Sequence, residues 1–317
     1  MFNLKKSLIA LFAMLALYGV EARGESFEIN NVRGYVWITT SIDGGPSTLR
    51  VGPIYSLSGP GLVVWTDFMP GGDPGNVEAR DTCMEILCTP GQVIGTNSSF
   101  SGAIGSHQWT SARVNGVFYW FVKARGWLKF VSSPIVLPDT RGFISISIPF
   151  TFTGELTDSA SHPDVVNPIF SARLTGQGLA TFRFWRGYDV WNSNYKLEFI
   201  EYRFGPLPIS IDIKPATFPN IINPKSNGKF PVAILTTSFF DATTVNPATV
   251  FFGATEVPPV HSALEDVDGD GDLDMILHFV TQYAGIACGN ASASLTGETF
   301  SGMEFEGSDS IETVGCN

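Results

Sequence analysis

Residues 265–279 read EDVDGDGDLDMILHF, with aspartates at 266, 268, 270, 272 and 274 and glycines at 269 and 271. Carboxylates this closely spaced repel one another and resist full ionisation unless positive charge sits among them. The stretch contains no Lys or Arg, so a bound cation is the natural compensation. A hard cation such as calcium takes six to eight oxygen ligands, and alternate residues of a turn can supply several of them. Counted from Asp266, the carboxylates of Asp266, Asp268 and Asp270 stand at positions one, three and five. Gly271 falls at the sharp turn of position six, Asp272 at seven offers its carbonyl, and Asp274 stands at nine. Leu273 is expected to point inward and anchor the loop. Position twelve is Leu277, where an EF-hand needs a bidentate glutamate, and MILHFV reads as a strand rather than an exiting helix. The expectation is a calcium loop in a β context.

In its residues Asp266, Asp268, Asp270, Asp272 and Asp274 the loop resembles those of FG-GAP and VCBS-type β repeats and the first half of a dockerin loop. That resemblance implies calcium held by these aspartates between strands or at a turn. The motif occurs once, which speaks against a β-propeller. More broadly, IDIKPATFPNIINPKSNGKFPVAIL, HSALEDVDGDGDLDMILHF and LTGETFSGMEFEGSDSI, within residues 209–317, resemble an uncharacterised domain of exported bacterial proteins. Ala216 stands where that domain usually has glycine. His261 and His278 flank the loop. Calcium prefers oxygen, so structural hydrogen bonding is their expected role.

Charge is divided along the chain. From Ile209 onward there are 14 acidic and 3 basic residues, and before it 16 of each, so the whole net charge of −11 lies in the last third. A neutral first part and an acidic second part argue against nucleic acid as a partner and for a cation-binding C-terminal unit. At the N-terminus, Lys5 and Lys6 precede an apolar run from Ser7 to Val20, and Ala22 ends a cleavage-site pattern. Residues 1–22 therefore read as a secretory signal peptide. No later segment is long and apolar enough to span a bilayer as a helix. The expected location is secreted, or periplasmic to extracellular. In an oxidising compartment the four cysteines would pair as Cys83 with Cys88 and Cys288 with Cys316.

The elements that must carry these groups are strands. GYVWITTSI (34–42), GLVVWTDF (61–68), GVFYWFVKA (116–124), GWLKFVSS (126–133), GFISISIPFTFTGEL (142–156), GLATFRFW (178–185) and YKLEFIEYRF (195–204) are short apolar or alternating runs bounded by turn residues. In the last, Leu197, Phe199, Tyr202 and Phe204 are expected to face inward, with a bulge at Ile200-Glu201. One helical turn is expected around Val77 to Leu87, inside a turn-rich excursion stapled by Cys83 and Cys88. GPLP (205–208) reads as a linker, and further strand-like runs follow it. The expected organisation is all-β. A jelly-roll-like β-sandwich over 23–205 is joined by a linker at 206–208 to an acidic calcium-binding β domain over 209–317. FTFTGELTD, RLTGQGLATFRF and EYRF give the first part a resemblance to β-sandwich modules of bacterial surface and exported proteins.

Catalytic groups do not converge. His107 and His162 are the only histidines of the first part, and SHPD (161–164) places serine, histidine and aspartate side by side, unlike a triad drawn from separate elements. Asp73, Glu78, Asp81 and Glu85 could supply a glycosidase acid pair, the basis of an alternative reading as a secreted glycoside-active enzyme. Aromatic residues offer a different chemistry, because sugar rings stack on aromatic planes. Trp120, Trp127, Trp185 and Trp191 are the candidates for contacting a glycan or a protein surface. The reading is thus an exported, non-catalytic calcium-binding β protein that serves as a binding, adhesion or structural module.

Overall fold

The computed structural model describes residues 25–39, 48–50, 54–65, 77–78, 88–94, 98–102, 111–120, 124–132, 134–158, 170–187 and 194–316. Strands dominate, and the only helical elements among the described residues are three-residue 3-10 turns, so the class is all-β. The first part contains β1 (Glu25–Ile29), β2 (Asn31–Thr39), β3 (Thr48–Arg50), β4 (Ile54–Gly59) and β5 (Leu62–Trp65). These are followed by β6 (Val77–Glu78), β7 (Val93–Ile94), β8 (Ser98–Gly102), β9 (Ser111–Val114) and β10 (Val117–Trp120). Next come β11 (Ala124–Ser132), β12 (Ile135–Val136), β13 (Gly142–Asp158), β14 (Phe170–Arg186) and β15 (Tyr195–Phe204). One sheet runs β10-β9-β5-β4-β2-β15-β14-β13-β11-β8-β6, with β1 on β14 and β3 on β2, while β7 and β12 pair separately. The pairing defines one continuous sheet and not how its parts face each other, so the sandwich packing of the first part stays an expectation.

Alternation explains the two longest strands. In β13, Phe150, Phe152 and Leu156 are buried while Thr151, Thr153 and Glu155 are exposed, the period of two that a strand imposes. Pro149 is tolerated because β11 stops pairing at Phe150, which leaves β13 a partner on one side only. Opposite Phe150 and Phe152 stand Gly178 and Gly176 of β14. A Cβ on either glycine would come within 2.7 Å of the facing ring, so the glycines give the phenyl groups their seats. Phe130 stacks on Tyr202 at 4.1 Å between centroids, with Phe150 edge-on to both.

The interruption expected in β15 exists but lies elsewhere. The β14–β15 register shifts between Arg183 and Phe184, so Glu198 is the unmatched residue. Ile200 rather than Phe199 therefore turns into the core, and Phe199 lies under the Arg183 guanidinium, 5.9 Å from its ring centre. The helical turn expected from Val77 is not found at its start: Val77 and Glu78 form a strand against β8.

The second part contains β16 (Leu207–Ile209), β17 (Ile211–Ile213), β18 (Ile221–Ile222), β19 (Lys229–Ile234) and β20 (Phe251–Phe252). It continues with β21 (His261–Glu265), β22 (Asp274–Val280), β23 (Ser292–Glu298), β24 (Glu304–Ser310) and β25 (Glu312–Thr313). Two four-stranded sheets, β16-β24-β23-β20 and β17-β19-β22-β21, share one apolar core, and β18 pairs with β25. The residues expected as a linker at 206–208 are a correction. Leu207 is fully buried and begins β16, which pairs parallel with β24. Alternation over LPISIDI carries Leu207, Ile209, Ile211 and Ile213 inward through both sheets, so the prolines punctuate a strand rather than a spacer. Gln177 of β14 reaches this part: its amide donates to the Glu304 carbonyl (2.6 Å) and accepts from the Glu304 N–H (2.8 Å). Cys288 and Cys316 form a disulfide with their Cα atoms 5.8 Å apart. Cys88 is disulfide-bonded too, and its expected partner Cys83 lies outside the described residues.

Candidate metal centre

The aspartate stretch is the connection of a hairpin. β21 and β22 pair antiparallel with Glu265 opposite Asp274, and residues 266–273 close the turn. Met275, Leu277 and Phe279 bury one face of β22 and fix the hairpin to the core. Gly269 and Gly271 have φ of +79° and +97°, and nothing crowds the place of a Cβ. Glycine is needed there for the backbone conformation, not for space. Short side-chain bonds wind the loop: Asp266 Oδ1 accepts from the Gly269 N–H (2.8 Å), Asp268 Oδ1 from Asp270 (3.2 Å) and Asp270 Oδ1 from Asp272 (2.9 Å). Asp side chains favour such local turns.

Asp274 is different from the others because it is buried, at 1% exposure. Its Oδ1 accepts from the Thr236 N–H (2.8 Å) and its Oδ2 from the Val267 N–H (2.9 Å). The Thr236 hydroxyl in turn donates to the Leu273 carbonyl at 2.6 Å. Thr236 is therefore the residue that positions the loop, and it was missed because it stands 38 residues before Asp274, where no local spacing can reveal it. Leu273 does not anchor the turn as expected: it is 48% exposed, and the buried carboxylate beside it holds the loop instead.

Of the five candidate ligands, the fold brings together Asp266, Asp268 and Asp274, with one carboxylate oxygen of each within 4.8 Å of the others. Oxygens bound to one calcium at its usual distances lie at most about 5 Å apart, so this triangle fits a single hard cation. The carboxylates of Asp270 and Asp272 are not in this triangle. Asp270 spends an oxygen on the Asp272 N–H, and both residues are exposed. Among the described residues no Lys, Arg or His pairs with any of the five. The Asp270 N–H favours the ionised form of Asp268. Desolvation and the charges of Asp270 and Asp274 outweigh it, and the Asp268 pKa is raised. Among the described residues, no cationic side chain balances this negative charge.

The two histidines face each other across the hairpin, with ring centres 5.5 Å apart. His278 Nδ1 is buried without a hydrogen-bond partner, so the expected structural bond is not found at that atom. Four residues of strand separate His278 from Asp274, about 13 Å, which keeps it out of the carboxylate cluster.

Of the aromatic candidates, Trp185 is half-buried in β14 opposite Phe143, which is 68% exposed. Trp120 and Trp127 lie in β10 and β11, and Trp191 falls outside the described residues. Glu78 is in β6, while Asp73, Asp81, Glu85, His107 and His162 lie outside the described residues. Among the described residues no helix is long and apolar enough to cross a membrane. No family model, curated protein or solved structure matches this chain.

Proposed function

We propose that the chain is an exported, non-catalytic β protein that binds calcium at the tip of the β21–β22 hairpin. It acts as a binding, adhesion or structural module at the cell surface or in the secreted space. The observation that carries this reading is the triangle of Asp266, Asp268 and Asp274, three carboxylates with no cationic side chain paired to them among the described residues. Calcium would be held by these three residues and would complete its oxygen shell from backbone carbonyls and water. Its role is structural, since an ion that binds only the folded chain stabilises it by mass action. Export is supported by the N-terminal pattern of Lys5 to Ala22 and by the Cys288–Cys316 disulfide, a bond of oxidising compartments. For the first part, exposed Phe143 beside Trp185 supports contact with a glycan or a protein surface.

Calorimetric titration of the full chain with calcium tests the reading. The wild type should bind in the micromolar to millimolar range, and Asp268→Ala should weaken the hairpin site at least about tenfold. A wild-type chain with no calcium heat at millimolar concentration would reduce the loop to an acidic turn.

A further inference from the structure

A second group of oxygens lies at the opposite edge of the sheet that carries the hairpin, on β17. Asp212 projects from β17 on the face opposite the buried Ile211 and Ile213, and Asp309 comes from β24. Both line a surface cavity of about 370 Å³ together with Asn220. Register places Asp212 opposite Ala233 and Ala233 opposite Ile276, so Asp212 stands two strands from β22. That is about 10 Å across the sheet, too far for one ion to serve this group and the hairpin together.

Asn220 is the informative residue. It is 5% exposed, and its Nδ2 donates to Asp309 Oδ2 (2.9 Å) and to the Ser310 carbonyl (3.0 Å). Two acceptors facing one nitrogen fix the orientation of the amide, because the flipped form would set oxygen against oxygen. Asn220 Oδ1 is then left buried with no donor. A buried polar atom without a partner is destabilising, so a donor or a cation should meet it. The Asp212 carboxylate likewise accepts no hydrogen bond and forms no ion pair among the described residues. Lys214, two residues on, donates its ammonium to the Ile221 carbonyl instead (2.7 Å). Asp309 is held in place by the Ile213 N–H and the Asn220 amide on Oδ2 (2.9 Å each) and by the Ser310 N–H on Oδ1 (2.6 Å), with the Ser310 hydroxyl at 3.4 Å, so Oδ1 is the oxygen with a lone pair to offer a cation. Burial, and then the neighbouring Asp309 charge, raise the pKa of Asp212, as expected of a desolvated carboxylate beside another.

We propose that Asp212, Asp309 and Asn220 Oδ1 form a second cation site, which takes calcium on oxygen ligands alone. A water molecule could satisfy the amide oxygen but would leave two carboxylates unbalanced, whereas a divalent ion answers both. A neutral amide oxygen beside carboxylates is a donor set that calcium accepts readily.

Calcium stoichiometry of the full chain, by native mass spectrometry and chelator competition, decides the question. The wild type should hold two ions per chain. Asp212→Asn, nearly isosteric and checked for folding by circular dichroism, should hold one, as should Asp268→Ala, and the double variant none. One ion in the wild type, kept by Asp212→Asn and lost by Asp268→Ala, overturns this proposal and leaves the hairpin reading intact. One ion lost by Asp212→Asn and kept by Asp268→Ala supports the second site and removes the first. No ion in the wild type overturns both. Asn220→Asp supplies a second measurement. With a site present, its melting temperature rises with calcium by several degrees more than that of the wild type. A purely structural Asn220 gives a loss of stability that calcium does not repair.

Discussion

The two cores of this chain are built on opposite economies of sequence. The first, from Phe27 to Phe204, lies on strands as long as 17 residues and is filled with stacked and edge-on rings, with no excess charge around it. The second, from Leu207 to Ile311, lies on strands of seven residues or fewer, closed by a disulfide and carrying all the net charge. Long alternating strands bury enough apolar surface to define themselves. Short ones leave turns that need other fastening, and in the second part that fastening is a buried hydrogen-bonded aspartate, a covalent disulfide and, as proposed, calcium. The difference teaches where to look for function. The part with the shorter strands is the part in which carboxylates come together.

Three experiments can break or sharpen this contrast, given two calorimetric transitions, one for each core. The largest effect is expected from Phe182→Ala, which empties a fully buried ring position in the first core. It should cost about 3–5 kcal/mol and lower one transition only. A common shift of both would show that the two cores melt as one. Next, Cys288→Ser should cost roughly 3–4 kcal/mol by the loop-entropy estimate for its 28-residue separation, and should lower the other transition. An unchanged second transition would remove the disulfide from its fastening role.

The smallest effect concerns pH. A hydrogen bond from Arg186, and then its charge, lower the pKa of Asp139. A carboxylate whose folded pKa is depressed contributes stability above its unfolded value, near 4, and loses it as pH falls through the folded one. Acid should therefore loosen the 138–140 segment, where Arg186 also lies over the Tyr195 ring. Asp139→Asn should abolish that part of the pH dependence in the first transition and leave the second as it was.

How much of this was legible in the sequence follows the same contrast. Alternation in GFISISIPFTFTGEL and YKLEFIEYRF marked the long strands, because burial of one face repeats every second residue. The bulge was misplaced by two residues, since Phe199 and Ile200 are both apolar and only the register decides which turns inward. GPLP was read as a linker because proline and glycine usually interrupt, yet Pro208 faces outward on a strand whose Leu207 and Ile209 carry the burial. In the hairpin, spacing identified the aspartates but not which of them meet. That depends on the Asp274 bonds to Val267 and to distant Thr236. Asn220 and Asp309 touch across 89 residues, and nothing local connects them.

The disulfide has a consequence under tension. Force applied beyond Cys316 passes through the bridge to Cys288, and the chain between them, a sequence separation of 28, is taken out of the load path. The β23–β24 hairpin lies within that span and stays covalently enclosed even when the strands around it are pulled open. At about 3.4 Å per extended residue, less the 5.8 Å that the bridge itself spans, the oxidised chain has a contour length roughly 90 Å shorter than the reduced one. In an optical trap, the reductant would appear as extra length released after rupture.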